Sequence, residues 1–419
     1  MSDRPRFSRQ MHVLLACSFS VALGYGILSP VLPVLAHSYG VSLSLTGLVV
    51  SAFALARLLF ATTASKLVSA RGEAVIYMSG LLIVAASTLG AAFAPTFWLL
   101  VLLRGLGGIG STMFTIAATG LLIRITPPEI RGRASAAFGG AFLAGSIVGP
   151  SLGGLVAELG LRAPFIVYTG TLLVAAALMA GSIRSERRLA TAAGEQERKA
   201  PAEALSFREA LHELRYKAVV ASGFSNGLVV MGLRVAMLPL LAGFVASRPS
   251  AGWDPLGALN GTTLTGVAMT AFAVGTLAML PVSGKLSDTL GRPRPAMMGL
   301  AGVAAAFALI GWAPNGLLLV AASLVGGIGQ AVYQPAMQAT LADVVGSRRG
   351  GSAIALPQMA TDVGTILGPV LGGAIADAAG FGWGFSLLAA VPALCILLWM
   401  RVRAEERKED QSRNPVQAT

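Results

Sequence analysis

Gly145-Ser146-Ile147-Val148-Gly149-Pro150-Ser151-Leu152-Gly153-Gly154 reads G-x-x-x-G-P-x-x-G-G, and Gly364-Thr365-Ile366-Leu367-Gly368-Pro369-Val370-Leu371-Gly372-Gly373 reads the same. The copies lie 219 positions apart in a chain of 419 residues, each inside a long apolar segment. The same offset carries Leu106-Gly107-Gly108-Ile109-Gly110 onto Val325-Gly326-Gly327-Ile328-Gly329, and Lys66, Leu67 and Gly72 onto Lys285, Leu286 and Gly291. At a slightly smaller offset Gly26 and Pro33 match Gly232 and Pro239. The two halves therefore read as copies of one unit. The change of offset marks an insertion near 247–262, in a loop that carries Trp253, Asp254 and Pro255.

Composition sets the medium. The chain is 55% hydrophobic and only 12% charged, where a soluble domain carries roughly a quarter charged residues. Apolar runs of about 20 residues, long enough to cross a bilayer, recur twelve times: about 11–35, 44–66, 74–94, 98–123, 133–157, 163–183, 217–241, 262–284, 295–313, 316–341, 352–376 and 382–402. The expected fold is all-α and integral to the membrane, with twelve transmembrane helices in two pseudo-symmetric six-helix bundles. The expected divisions are an N-terminal bundle 1–183, a cytoplasmic linker 184–216, a C-terminal bundle 217–404 and a charged, disordered tail 405–419. Segment 203–217 reads as a short amphipathic surface helix.

A net charge of +12 would suit nucleic acid, but its placement suits a membrane. With the N-terminus cytoplasmic, Arg162 and Arg248 fall outside, Arg57, Arg104 and Arg234 fall within spans, and every other Lys and Arg falls on the cytoplasmic side. This is the positive-inside bias, with both termini cytoplasmic. Nucleic-acid binding would need basic and aromatic residues interleaved on a soluble face, which the sequence lacks. Cys17 and Cys395 lie in the first and last spans and read as small buried apolar residues. The first span reads as a retained helix, not a cleaved signal. No metal-ligand cluster, nucleophile triad or G-x-x-x-x-G-K-[ST] loop is present: Gly284-Lys285 is followed by Leu286, and position 279 is Met. No enzyme activity, cofactor or ATP site is expected.

A membrane chain built from two repeats whose matched helices are broken by glycine and proline points to a transporter working by alternating access around a midplane site. Three motifs narrow this. The duplicated glycine pattern is one. Gly284-Lys285-Leu286-Ser287-Asp288-Thr289-Leu290-Gly291-Arg292-Pro293-Arg294 is the second, and Leu103-Arg104-Gly105-Leu106-Gly107-Gly108-Ile109-Gly110 the third. Together they resemble the major facilitator superfamily over nearly the whole chain, and within it the twelve-helix drug:proton antiporters. There the glycine pattern looks like the antiporter motif of span five, here present in span eleven too. The second stretch looks like the family's cytoplasmic loop motif, and the third its span-four arginine motif. The first-half copy of the loop motif departs from the pattern: Ser65, Ser69 and Glu73 stand at the Gly, Asp and Arg positions. The resemblance implies that Gly145, Gly149, Pro150 and Gly154 pack span five on span eight, and that Gly364, Gly368, Pro369 and Gly373 pack span eleven on span two. It also implies that Gly284, Asp288, Gly291 and Arg292 form a cytoplasmic latch, with Asp288 meeting Arg131 or Arg133.

Charges inside apolar spans are costly and face a cavity or a partner. Arg57, Arg104, Arg234 and Asp362 are such charges, and Asp362 is the deeply placed carboxylate. His12, His37 and His212 lie near ends or in loops, so Asp362 is the expected proton carrier. Gln330, Gln334 and Gln338 fall on one helical face, as do Gln358 and Asp362. With Tyr333, Asn226 and Tyr25 they are expected to line a substrate cavity. Three arginines against one aspartate favour a neutral, zwitterionic or anionic amphipathic substrate. The expected partners are a small-molecule substrate, protons and the lipid bilayer, with the protein a monomer in the plasma membrane. The first alternative is a facilitator of an anionic metabolite clamped by Arg57, Arg104 and Arg234. The second is a sensor or lipid-handling scaffold that does not pump.

Overall fold

The computed structural model describes residues 7–126, 131–187, 211–248, 253–345 and 351–413. Among them the regular structure is helical: α1 Arg9–Leu28, α2 Leu32–His37, α3 Leu43–Arg71, α4 Glu73–Ala92, α5 Phe97–Ile125, α6 Arg131–Val156 and α7 Ala163–Arg187, followed by α8 Leu214–Ser225, a π-helical stretch Asn226–Leu233, α9 Arg234–Ala246, α10 Gly261–Leu290, α11 Pro293–Gly311, α12 Gly316–Val345, α13 Gly351–Ala379 and α14 Phe381–Arg413. Among the described residues, twelve helical stretches are long and apolar enough to cross a membrane, in register with the expected spans. The first runs from Arg9 to His37 and the seventh from Leu214 to Ala246. Helices suit this medium because they satisfy their own backbone groups where lipid offers no partner. Their outward faces carry large apolar side chains such as Leu59, Leu102 and Leu394.

Two compact units emerge. The first comprises Met1–Arg198 with Asn260–Thr270, and the second Lys199–Leu259 with Ala271–Thr419. The first turns of α10 thus belong with the N-terminal helices. Much of the expected linker, including most of 203–217, lies outside the described residues, as does 414–419. The tail departs from expectation: α14 continues through the charged segment to Arg413. There Glu406 pairs with Arg215 at 3.5 Å, which gives the extra turns a partner that composition does not reveal.

The repeat is visible in contacts. Gly72 (φ +84°) and Gly291 (φ +76°) make the turns after α3 and α10, with positive φ angles that glycine adopts without a steric cost. Glu73 meets Arg124 at 3.3 Å, and at the matching positions Arg292 meets Asp343 at 3.4 Å. The pair is kept with its signs exchanged. Gly80 and Gly110 lie against each other's backbone, as do Gly299 and Gly329. Gly108 rests on the carbonyl of Phe53, and Gly327 on that of Phe272.

Proline and glycine shape individual helices. The first span breaks over Ser29–Val31, where Pro30 interrupts the helix. The Ser29 N–H folds back to the Tyr25 and Gly26 carbonyls at 3.2 Å. The seventh span widens into the π-helix, where the Arg234 N–H reaches the Val229 carbonyl five residues back.

Candidate transport site

The motif glycines split into two faces. Gly145, Gly149 and Gly153 recur every fourth residue and lie on α1: Gly145 against Phe19 and Leu23, Gly149 against Leu23 and Gly26, Gly153 against Ile27. Gly154 is turned about 100° further round the helix and meets Thr262 and Thr263 of α10, while the Pro150 carbonyl meets Gly266. Only part of the span-five motif thus reaches span eight; the regular glycine row serves α1. In the second unit Gly364 lies on Phe224 and Leu228, Gly368 on Leu228 and Leu233, and Pro369 on Gly232. This row serves the seventh span in place of the expected span two, and Gly373, one residue beyond the row, is buried.

Polar side chains reinforce the contact between α6 and the first turns of α10. Thr263 Oγ1 donates to Glu158 Oε1 at 3.0 Å, Asn260 Nδ2 donates to the same oxygen at 3.4 Å, and Ser151 and Thr270 share a hydroxyl bond of 2.7 Å. The expected latch partners Arg131, Arg133, Gly284 and Asp288 have side-chain positions outside the described residues. Of that motif, Gly291 makes its turn and Arg292 pairs with Asp343.

In the first unit, Arg104 of α5 is 4% exposed. Its guanidinium carbon stands 4.6 Å from the centre of the Phe53 ring. Its Nε has no hydrogen-bond partner among the described residues. Phe53 in turn lies 6.3 Å from the half-exposed Tyr25 ring of α1. The buried Tyr168 of α7 is within electrostatic reach of Arg104 and Arg57. Arg57, on α3 and half-buried, donates from Nη1 to Ser111 Oγ at 3.0 Å. Among the described side chains of this unit the carboxylates are Glu73 and Glu158, both at helix ends and both engaged as given above.

In the second unit, Arg234 follows the π-helix. Its Nε donates to the Val230 carbonyl at 3.2 Å, and its guanidinium sits 4.2 Å from the centre of the Phe272 ring. Asn226 opens the π-helix and accepts from the Tyr333 hydroxyl at 2.7 Å, a fully buried bond. Gln330 donates to Gln334 at 3.2 Å, while its own Oε1 is buried without a partner among the described residues. Gln338 is exposed, apart from these two. Gln358 donates to Asp362 Oδ1 at 3.4 Å on α13. The expected residues thus assemble into local pairs within each unit.

Reading by residue type missed Phe53, Phe272, Ser111 and Tyr168, and the π-helix. One signal was present: Phe53 and Phe272 occupy matching positions of the repeat, so each half supplies an aromatic face, and each face carries an arginine from a different helix. A cation over an aromatic ring is a known way to hold charge in an apolar setting.

Twelve spanning helices, two units with repeated contacts and arginines set into their interiors define a multi-pass membrane transporter. The chain belongs to the Major Facilitator Superfamily, whose family model matches residues 14–262 and 222–418. It is 31% identical over 189 residues to the quinolone resistance protein NorA of Staphylococcus aureus (strain Mu50), covering 45% of this chain and 48% of that one. This match spans about half the length of that relative. A multidrug resistance efflux pump PmrA homolog of Lactococcus lactis is 27% identical over 384 residues, 88% of this chain and 89% of its own. Among solved structures, a peptide transporter POT in complex with sulfate superposes with a TM-score of 0.75 at 12% identity, covering 96% of each chain. A bacterial homolog of the lysosomal transporter Spinster, inward-facing and occupied, superposes with a TM-score of 0.73 at 14% identity, covering 96% of this chain and 98% of that one. These two likenesses are of fold.

Proposed function

We propose that this transporter exports small amphipathic organic compounds in exchange for protons, by alternating access, as a monomer in the plasma membrane with both termini cytoplasmic. The observation that carries the reading is Asp362. Among the described side chains of the second unit, Asp343, Asp377, Glu405 and Glu406 lie in the last few turns of their helices, Glu213 precedes α8 and Asp254 lies in a loop, whereas Asp362 stands near the middle of α13. Its partner Gln358 suits a group that must change protonation state. An amide donates to a carboxylate and, turned over, accepts from a carboxylic acid. A proton entering down the membrane potential supplies about 2.3 kcal/mol per 100 mV. The efflux functions named for the relatives above agree with export, and the charge bias of the loops agrees with the orientation. A latch of Asp288 with Arg131 or Arg133, and a seam at which Gly154 of span five packs on span eight, are part of the same reading.

A second reading, a facilitator for an anionic metabolite, draws support from the arginines of the first unit. The two separate in one experiment. Accumulation of a panel of dyes and antibiotics is measured in an efflux-deficient bacterium carrying the wild type or Asp362→Asn, with and without a protonophore. Proton-coupled export requires lower accumulation with the wild type, abolished by the protonophore and by the substitution. Export that survives both refutes coupling through Asp362.

A further inference from the structure

The first unit holds two guanidiniums within its spans, and among its described side chains the carboxylates are elsewhere. Arg57 is tethered to Ser111. Arg104 is more deeply placed: nine-tenths of it and more is out of contact with solvent, one face is covered by Phe53, and Nε points at no acceptor. A buried cation with an open donor is stable only with an anion or polar acceptor beside it. Nothing described within the unit supplies that acceptor. The surroundings also say what shape it has. A guanidinium offers parallel N–H groups in one plane, which match the two oxygens of a carboxylate. The neighbouring surface is aromatic, made by Phe53 and the half-exposed Tyr25. Tyr25 is the member of this group with a large open face, and flat rings stack or meet edge-on with such faces.

We propose that Arg104, flanked by Phe53 and Tyr25 and seconded by Arg57, binds the carboxylate head group of a flat amphipathic organic anion. The inference rests on the exporter reading only in taking that anion to be the cargo. The carboxylate replaces the missing acceptor at Arg104, and the apolar body lies along Tyr25. Arg57 adds a second positive charge without giving up Ser111.

The test uses the purified full-length chain in an uncharged detergent, with 2-naphthoate, neutral 2-naphthylmethanol and cationic 2-naphthylmethylammonium as probes read by fluorescence titration. The wild type should bind naphthoate at least tenfold more tightly than naphthylmethanol, and the cation more weakly than either. Arg104→Gln should bring the ratio of naphthoate to naphthylmethanol to within twofold of one, with elution as a single sharp species showing that the variant is folded. If that variant does not fold, Arg104→Lys keeps the charge, loses the planar fork, and should lower the ratio at least threefold. A wild-type ratio near one, or a ratio that survives substitution of Arg104, overturns the proposal. Displacement of naphthoate by equimolar dioleoylphosphatidylglycerol, and not by dioleoylphosphatidylcholine, also overturns it, since the site would then hold a lipid phosphate. Export of a neutral dye driven by a pH gradient in vesicles is scored separately. Intact export with a ratio near one sinks this inference alone. An Arg104-dependent ratio without driven export supports it and sinks the exporter reading alone.

Discussion

Gly149→Ala measures how closely α1 and α6 approach. An added methyl would stand 2.7 Å from the Gly26 Cα and from the Leu23 carbonyl oxygen, and 3.0 Å from the Gly26 carbonyl carbon. Comfortable contact between such atoms needs about 3.5–4.0 Å. The helices must therefore part by about 1 Å along a row that also includes Gly145 and Gly153. All three atoms are backbone, so no side chain can swing aside. Overpacking of this kind costs about 1–3 kcal/mol. Gly140→Ala on the same helix is the control, because nothing lies within 4 Å of its added methyl. It should gain about 0.5–1 kcal/mol from the lower backbone entropy of alanine in a helix. Both variants gain that term, so the gap between them is the packing cost alone. At about 2–4 °C for each kcal/mol in a body of this size, thermal unfolding of the purified protein in detergent resolves it. Gly26→Ala should cost a similar amount, and the double variant less than the sum of the two, since one separation relieves both methyls. If Gly149→Ala melts at or above Gly140→Ala, the close approach of the two helices is wrong.

Two further outcomes follow from buried or capping bonds. Tyr333→Phe strands the Asn226 carbonyl oxygen in the interior and should cost about 1–3 kcal/mol, seen as a lower melting temperature; pairing it with Asn226→Leu should recover most of the loss. Asp254 accepts from the Leu256 N–H at 3.1 Å and from the Gly316 N–H at 3.0 Å, so Asp254→Ala should cost about 0.5–2 kcal/mol, and amide exchange should speed up at both Leu256 and Gly316.

The spans were legible because lipid demands about 20 apolar residues in a row, and the repeat because glycine cannot be replaced where backbones touch. Gly149 and Gly368 announced a close approach, but the resemblance assigned them to spans eight and two, whereas they lie against the first and seventh spans. A row of glycines spaced by four defines a groove, but which helix fills it depends on the folding of the whole unit. Gln330 and Gln334 were correctly placed on one face, yet spacing could not tell that they bond each other while Gln338 stands apart. The π-helix was invisible for a different reason. Asn226–Leu233 has the composition of any apolar helix, and the wider turn is a choice of hydrogen-bond partner that leaves no mark on hydrophobic periodicity over so short a stretch. The extension of α14 to Arg413 was missed because a highly charged segment reads as solvated chain when its partner, Arg215, lies far away in sequence.

The two aromatic-covered arginines also differ in the order in which their partners are made. Chains are synthesised from the N-terminus, and early segments settle first. Phe53 precedes Arg104, so the ring that will cover the guanidinium is already synthesised when α5 leaves the ribosome. Phe272 follows Arg234, which must enter the bilayer before its ring exists, where an arginine at mid-depth costs about 2.5–3.5 kcal/mol. The Val230 carbonyl, within the same span, is the partner already at hand. A bond to a carbonyl four residues back gives Arg234 a partner that is synthesised before it, which Phe272 is not.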